Sequence, residues 1–281
     1  MCHNALMNSI DHGRPLNWGH ASADYARYRT GYPPSFFNQL SALGIGLSGQ
    51  CVLDLGTGTG NLAREFARRG CATIGIDISE RQIAEARRLA ADENLKIDFR
   101  VASAEQTCLP HHSLDVITAS QCWLYFDRDR VVAETKRLLA PDGRLMTCHL
   151  AWLPRRDAIA KQTEDLILKY NPDWTAANLS GHISYCPSWI GEDFYVTGFF
   201  VYNEPIPFTR ETWRGRIRAC RAIGGELSAS EIEEFDAEHA ALLALTAPES
   251  FTVLHWIDCH ILAVKLPQHQ EVASAKQNAD R

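Results

Sequence analysis

Cys51 to Ala63, CVLDLGTGTGNLA, is the stretch on which the fold turns. Its first five residues are apolar except for Asp54, a run too short for a buried helix and closed off at once by Gly56, Gly58 and Gly60. That pattern predicts a buried parallel strand, a tight turn and a helix beginning at Asn61 and running to Arg69. Without a Cβ, the glycines let a ligand lie against the main chain, and the first amides of the helix point into the same crevice.

Gly58, Gly60 and Ala63 satisfy the dinucleotide spacing G-x-G-x-x-G/A, so spacing alone does not decide the ligand. Charge does. A carboxylate at Asp54, two residues before the first glycine, would repel a pyrophosphate and attract a ligand that carries an ammonium group and no phosphate. S-adenosylmethionine (SAM) is such a ligand. Asp77 ends a second apolar run, Ala72 to Ile76, where an acidic side chain can accept hydrogen bonds from both ribose hydroxyls, whereas an NADP site would call for a basic residue there.

Val52 to Gly60 (VLDLGTGTG) and Ile74 to Ser79 (IGIDIS) resemble the class I SAM-dependent methyltransferases. Ala23 to Pro33 (ADYARYRTGYP) and Ser120 to Asp127 (SQCWLYFD) resemble the small-molecule branch of that superfamily, which includes trans-aconitate and ubiquinone-pathway relatives. The resemblance implies a Rossmann-like, doubly wound α/β fold with a seven-stranded sheet, mostly parallel, closed by an antiparallel C-terminal hairpin. It implies SAM as cofactor and S-adenosyl-L-homocysteine as product. It also implies a cofactor site made of Asp54, Gly56, Gly58 and Gly60 at the glycine turn, with Asp77 and Ile78 at the second strand end. Ser103, Ala104 and Glu105 would form the turn that reads the adenine edge. Ser103 stands where the family usually has an aspartate. The segment holding Tyr25, Tyr28 and Arg29 would fold over the amino-acid end of SAM, Arg29 pairing with its carboxylate and a tyrosine packing near the sulfonium.

With 281 residues, 46% of them hydrophobic and 22% charged, the chain can bury a large core in one domain spanning residues 1–281. A net charge of −6 gives no attraction toward nucleic acid or an anionic membrane. The nine cysteines include no C-x-x-C pair and read as reduced core residues, so neither a disulfide framework nor a metal site is expected. No stretch approaches the length of a membrane span, and residues 1–17 lack the basic and apolar segments of a signal peptide, which predicts a cytoplasmic protein. Residues 1–19 and the polar tail from Pro267 show no period, and oligomeric state stays open.

Strand and helix alternate as far as residue 150, the fourth strand (Leu114 to Ala119) delivering Gln121, Trp123 and Tyr125 to the carboxyl edge of the sheet. Gln121 is a candidate cofactor contact there, and Trp123 and Tyr125 are candidate pocket walls. A turn at Pro141 to Gly143 and a fifth strand at Arg144 to Leu150 follow. Beyond 150 the pattern is more helical, and two additions, residues 151–192 and 209–248, are expected to form a lid over the acceptor. One of them carries a helical segment from Phe208 to Gly225 with arginines at 210, 214, 216, 218 and 221, which either grip an acidic acceptor or pair with the glutamates nearby.

Methyl transfer requires a donor and a nucleophile held in line and shielded from water, with a general base only if the acceptor must lose a proton. His149, near the end of the fifth strand, is the first candidate base, with His182 and Tyr185 behind it. The expected partner is a small-molecule acceptor. Three competitors share parts of the pattern: a SAM-consuming cyclase or lyase, a nicotinamide oxidoreductase, which conflicts with Asp54, and a SAM-binding protein without turnover.

Overall fold

A computed structural model describes residues 27–265. The expectations for residues 1–19, for Tyr25 and for the tail from Pro267 lie outside the described residues. One sheet is formed by β1 (Cys51–Leu55), β2 (Ala72–Asp77), β3 (Asp98–Val101), β4 (Leu114–Ser120), β5 (Leu139–Trp152), β6 (Phe194–Thr209) and β7 (Ser250–Val264), ordered β3-β2-β1-β4-β5-β7-β6. β1 to β5 pair in parallel, and β7 runs antiparallel to both β5 and β6. This is the doubly wound sheet with a terminal antiparallel hairpin that the sequence predicts.

Both sheet faces are covered, which is why the strands read as nearly continuous apolar runs. On one face Val52 of β1 packs with Phe36, Phe37 and Leu40 of α1 (Pro34–Ala42) and with Leu62 and Phe66 of α2 (Asn61–Arg68). On the other, Leu53 and Leu55 meet Val131, Val132 and Leu138 of α4 (Arg128–Leu138). Between them in sequence, α3 (Glu80–Asp92) seats Ile83, Ala86 and Ala90 against Phe99 of β3 and Ala63 of α2. Its N-terminus is fixed by Ser79, whose side chain accepts from the Gln82 amide.

A second core lies beyond the sheet. It joins α5 (Ala158–Tyr170), α6 (Arg210–Arg218) and α7 (Ala229–Thr246) around the fully buried Trp213, Ile217 and Phe235. Capping boxes at Thr209 with Thr212 and at Ser228 with Glu231 start α6 and α7. The expected helix through Gly225 ends earlier, at Arg218, and a single π turn follows over Arg221–Gly225.

The hairpin links the two cores. β7 pairs with β5 from Leu262 to His255, where it meets Trp152, yet it goes on pairing with β6 to Ser250 opposite Thr209. The strands therefore leave the sheet as a two-stranded ribbon, and Ile206, Phe208 and Val253 on that ribbon belong to the helical core. β5 is also longer than expected, taking in residues 141–143 that the sequence marks as a turn.

Candidate active site at the carboxyl edge

The turn after β1 places Gly56, Gly58 and Gly60 at φ of 58°, 56° and 78°, angles that favour glycine. A Cβ on Gly60 would also meet the Phe99 ring at 2.7 Å, so this glycine serves packing and does not line the ligand space. Asp77, at the end of β2, accepts from the Gly58 amide on Oδ2 (3.0 Å) and from the Ser79 amide on Oδ1 (2.8 Å). Those amides favour its carboxylate, but burial outweighs them and raises its pKa.

A cavity of about 530 Å³ runs along this edge. At one end its wall holds Gly56, Gly58, Asp77, Ile78, Ala104 and Glu105; its middle holds Gln121, Tyr125 and His149. At the other end the helical core contributes Trp174, Arg216 and Arg221, with Trp152 and Trp256 from the strands. Ile78 is 63% exposed and Leu124 is 49% exposed, two apolar side chains facing empty cavity rather than protein.

Asp54 departs from the expectation. It is buried below the turn, with Oδ2 accepting from Thr57 Oγ1 (2.6 Å) and Oδ1 from Thr118 Oγ1 (2.7 Å), and it faces a recess of about 50 Å³ beside the main cavity. Burial pushes its pKa up to about 6 against the pull of the two hydroxyls. Arg29 and Gln121 line both spaces. The Arg29 guanidinium donates to Gln121 Oε1, while Gln121 Nε2 donates to the Leu150 carbonyl (2.8 Å) from a backbone at φ 60°.

Tyr28 is directed elsewhere. Its hydroxyl donates to Glu211 Oε1 (3.0 Å) and its ring lies on Gly215 of α6, so it joins the helical core and lines neither space. Ser103 is likewise off the wall, because its hydroxyl donates to Glu105 Oε2. Glu105 Oε1 accepts from the Asp127 amide (2.9 Å). Trp123 is buried against Trp189, and of the expected pair only Tyr125 reaches the cavity.

Of the three candidate bases, only His149 lines the cavity. β5 and β7 set it opposite Asp258, and its Nδ1 lies 3.1 Å from Asp258 Oδ2. Asp258 is fully buried, and its Oδ1 accepts from Trp256 Nε1 (2.8 Å). A carboxylate that accepts Nδ1–H leaves Nε2 as the basic nitrogen. His182 and Tyr185 sit on an exposed segment that the His260 ring holds through the Ser184 carbonyl (2.9 Å); Tyr185 is 60% exposed, edge-on to Phe199. Asp258, Trp174 and Trp256 carry no local sign of a site, since only strand pairing and the second core bring them to this edge.

Among the described residues no group of three or more His, Cys, Asp and Glu side chains could hold a metal ion, and no helix is long and apolar enough to cross a membrane.

A parallel sheet with a glycine turn and an acidic strand end at its carboxyl edge is the arrangement in which α/β folds bind nucleosides and nucleotides. A family model described as a methyltransferase domain matches residues 52–143. That segment is about a third of the chain and holds the glycine turn, both acidic strand ends and β4. It is similar to an uncharacterized methyltransferase of Mycobacterium bovis, at 30% identity over 51% of this chain and 55% of that protein. It is also similar to the ubiquinone biosynthesis O-methyltransferase of Actinobacillus pleuropneumoniae, at 36% over 36% of this chain and 45% of that one. The chain thus spans about half the length of the curated relatives it matches. In fold it is similar to a SAM-dependent methyltransferase of Geobacter sulfurreducens solved with S-adenosyl-L-homocysteine (TM-score 0.50, 16% identity, covering 86% of this chain and 96% of that one). YjhP of E. coli is a second such structure, with TM-score 0.51, 18% identity and coverage of 88% and 99%.

Proposed function

We propose that this protein transfers a methyl group from SAM to the oxygen, nitrogen or carbon nucleophile of a small-molecule acceptor by in-line displacement. The observation that carries the reading is one continuous cavity that runs from the glycine turn and Asp77 past His149, which Asp258 orients, to the helical core. The residues fit the cofactor: Asp77 can accept from the ribose hydroxyls with lone pairs that its two amide donors leave, and Ile78 and Leu124 offer apolar faces to the adenine. Arg29 and the recess at Asp54 suit the amino-acid end. When bound there, SAM supplies a methyl carbon already activated by a sulfonium.

The chain's part is positioning and proton handling. Asp258 fixes the His149 ring and its tautomer, so that Nε2 can take a proton from the acceptor; an acceptor already neutral and nucleophilic would use the same wall only for alignment. The two additions, 151–192 and 209–248, act as a lid whose helical core closes the cavity from water. The cavity runs on past His149 to Trp174, Arg216 and Arg221, an extent that favours transfer to an acceptor over a cyclisation or elimination within SAM itself. A cytoplasmic enzyme acting without nucleic acid or membrane partners fits this reading.

Incubation with SAM and a pool of small metabolites should yield S-adenosyl-L-homocysteine; methylthioadenosine as the product would point to intramolecular chemistry instead. Asp77→Ala should weaken SAM binding by roughly 10- to 100-fold in calorimetry, the scale of a hydrogen bond to a charged group. His149→Gln should lower kcat by about 10²–10⁴-fold and leave SAM affinity unchanged. A melting temperature raised by NAD and not by SAM would refute the reading.

A further inference from the structure

The five arginines at 210, 214, 216, 218 and 221 are sorted by what they touch. Arg214 Nε (3.1 Å) and Arg218 Nη1 (2.8 Å) both hold Asp236 of α7, and Arg210 Nη2 donates to the Ala247 carbonyl (2.6 Å). These three fasten the helical core to itself. The other two, Arg216 and Arg221, line the cavity.

Their surroundings are unlike those of solvated arginines. Arg216 is only 4% exposed and its guanidinium carbon lies 5.2 Å from the centre of the Trp152 ring. Arg221 Nε lies 3.9 Å from Glu226 Oε1, and its Nη2 donates to Thr175 Oγ1 (3.5 Å). Trp174, Trp256, Leu179 and Ala219 make up the nearby wall. The two carboxylates on the cavity wall, Asp77 and Glu105, belong to the opposite end, at β2 and the turn after β3. Strands lie about 4.8 Å apart, so β2 and β7, four strand intervals distant in this sheet, are separated by roughly 19 Å. A nucleoside seated at Asp77 leaves the arginine end to another molecule. Glu226, buried beside Arg221, offsets part of that charge, and the two guanidiniums on an apolar, aromatic wall present planar forks suited to a carboxylate.

Resting on the methyltransferase reading, we propose that the acceptor is an organic acid with a flat, apolar or aromatic body. Its carboxylate sits at Arg216 and Arg221, its body lies among Trp152, Trp174 and Trp256, and its hydroxyl or amino group reaches His149. The lone pair of that oxygen or nitrogen forms the new bond to the methyl carbon as the carbon–sulfur bond breaks, its electron pair staying on sulfur, and the displaced proton passes to His149 Nε2. The carboxylate is a handle and is not itself methylated.

The test titrates the protein, saturated with S-adenosyl-L-homocysteine, with hydroxylated and aminated aromatic carboxylic acids and with the matching carboxamides, read by tryptophan fluorescence and calorimetry. At least one acid should bind 10-fold or more tightly than its amide. Arg216→Gln and Arg221→Gln should each weaken it by 10- to 100-fold, and raise KM with a smaller change in kcat, while S-adenosyl-L-homocysteine affinity holds. Arg216→Lys, which keeps the charge and loses the fork, should recover part of the loss. Equal binding of acid and amide, no binding by any acid of the panel, arginine variants that bind as the wild type does, or a methyl ester as product would overturn the proposal. Failure of S-adenosyl-L-homocysteine itself to bind would instead overturn the methyltransferase reading beneath it.

Discussion

Asp54 shows what a single carboxylate can and cannot disclose. Its place at a strand end beside a glycine turn is evident from VLDLGTG, but the hydroxyls that cradle it come from Thr57 and from Thr118, 64 residues away in sequence, and no local pattern announces the second. The environment has a measurable sign. The folded protein holds this proton up to about pH 6, against an ordinary value of 3.8, so the group stabilises the fold below about pH 4 and that contribution is lost as pH rises through 6. The shift corresponds to about 3 kcal/mol at most. Asp54→Asn abolishes the titration, so in the ligand-free protein the melting temperature of the variant minus that of the wild type should climb between pH 4 and 7 and then level off, by several degrees in all at roughly 2–4 °C per kcal/mol. Parallel curves would mean that Asp54 titrates normally. Tyr28 was equally legible as a residue and equally illegible as a contact, because Gly215, which leaves room for its ring, lies in the other half of the chain.

Elements were most legible where the signal was local. The apolar runs of β1 and β2 and the start of α2 at Asn61 follow from short stretches of sequence, and the structure has them there. The end of α6 does not, because Arg218 to Gly225 keeps helical composition and only tertiary packing turns it into a π turn after Cys220. The element most exposed to test is α6. Trp213 is fully buried, donates from Nε1 to Thr163 Oγ1 (3.0 Å), and packs edge-on to Trp152 at 5.7 Å between ring centres. Trp213→Ala should cost about 3–5 kcal/mol in denaturant unfolding. Since Trp152 also lines the cavity, the same variant should weaken acceptor binding more than cofactor binding. An unaltered unfolding midpoint would show that the helical core is not cooperative with the rest.

At the scale of the whole molecule, the seven-stranded, mostly parallel sheet and the antiparallel hairpin that closes it were predictable, whereas the register that makes the site was not. His149 meets Asp258 across 109 positions because β5 and β7 pair in one alignment, and a shift of one residue would turn the histidine to the opposite face. β7 goes on to make the outer ribbon with β6, residues 205–209 paired with 250–254. Amide exchange along that ribbon should be as slow as in the adjoining sheet, since each protecting bond continues an unbroken ladder; fast exchange confined to the ribbon would show that the helical core opens by itself.

A roof built on such a ribbon has no door on that side. The other tie to that roof is polar: Arg27 lies 3.4 Å from Glu211, both in contact with water, and the Tyr28 hydroxyl donates to the same carboxylate. Brine, which loosens ion pairs bathed in solvent, should weaken the Arg27 tie and leave the ribbon's ladder as it is.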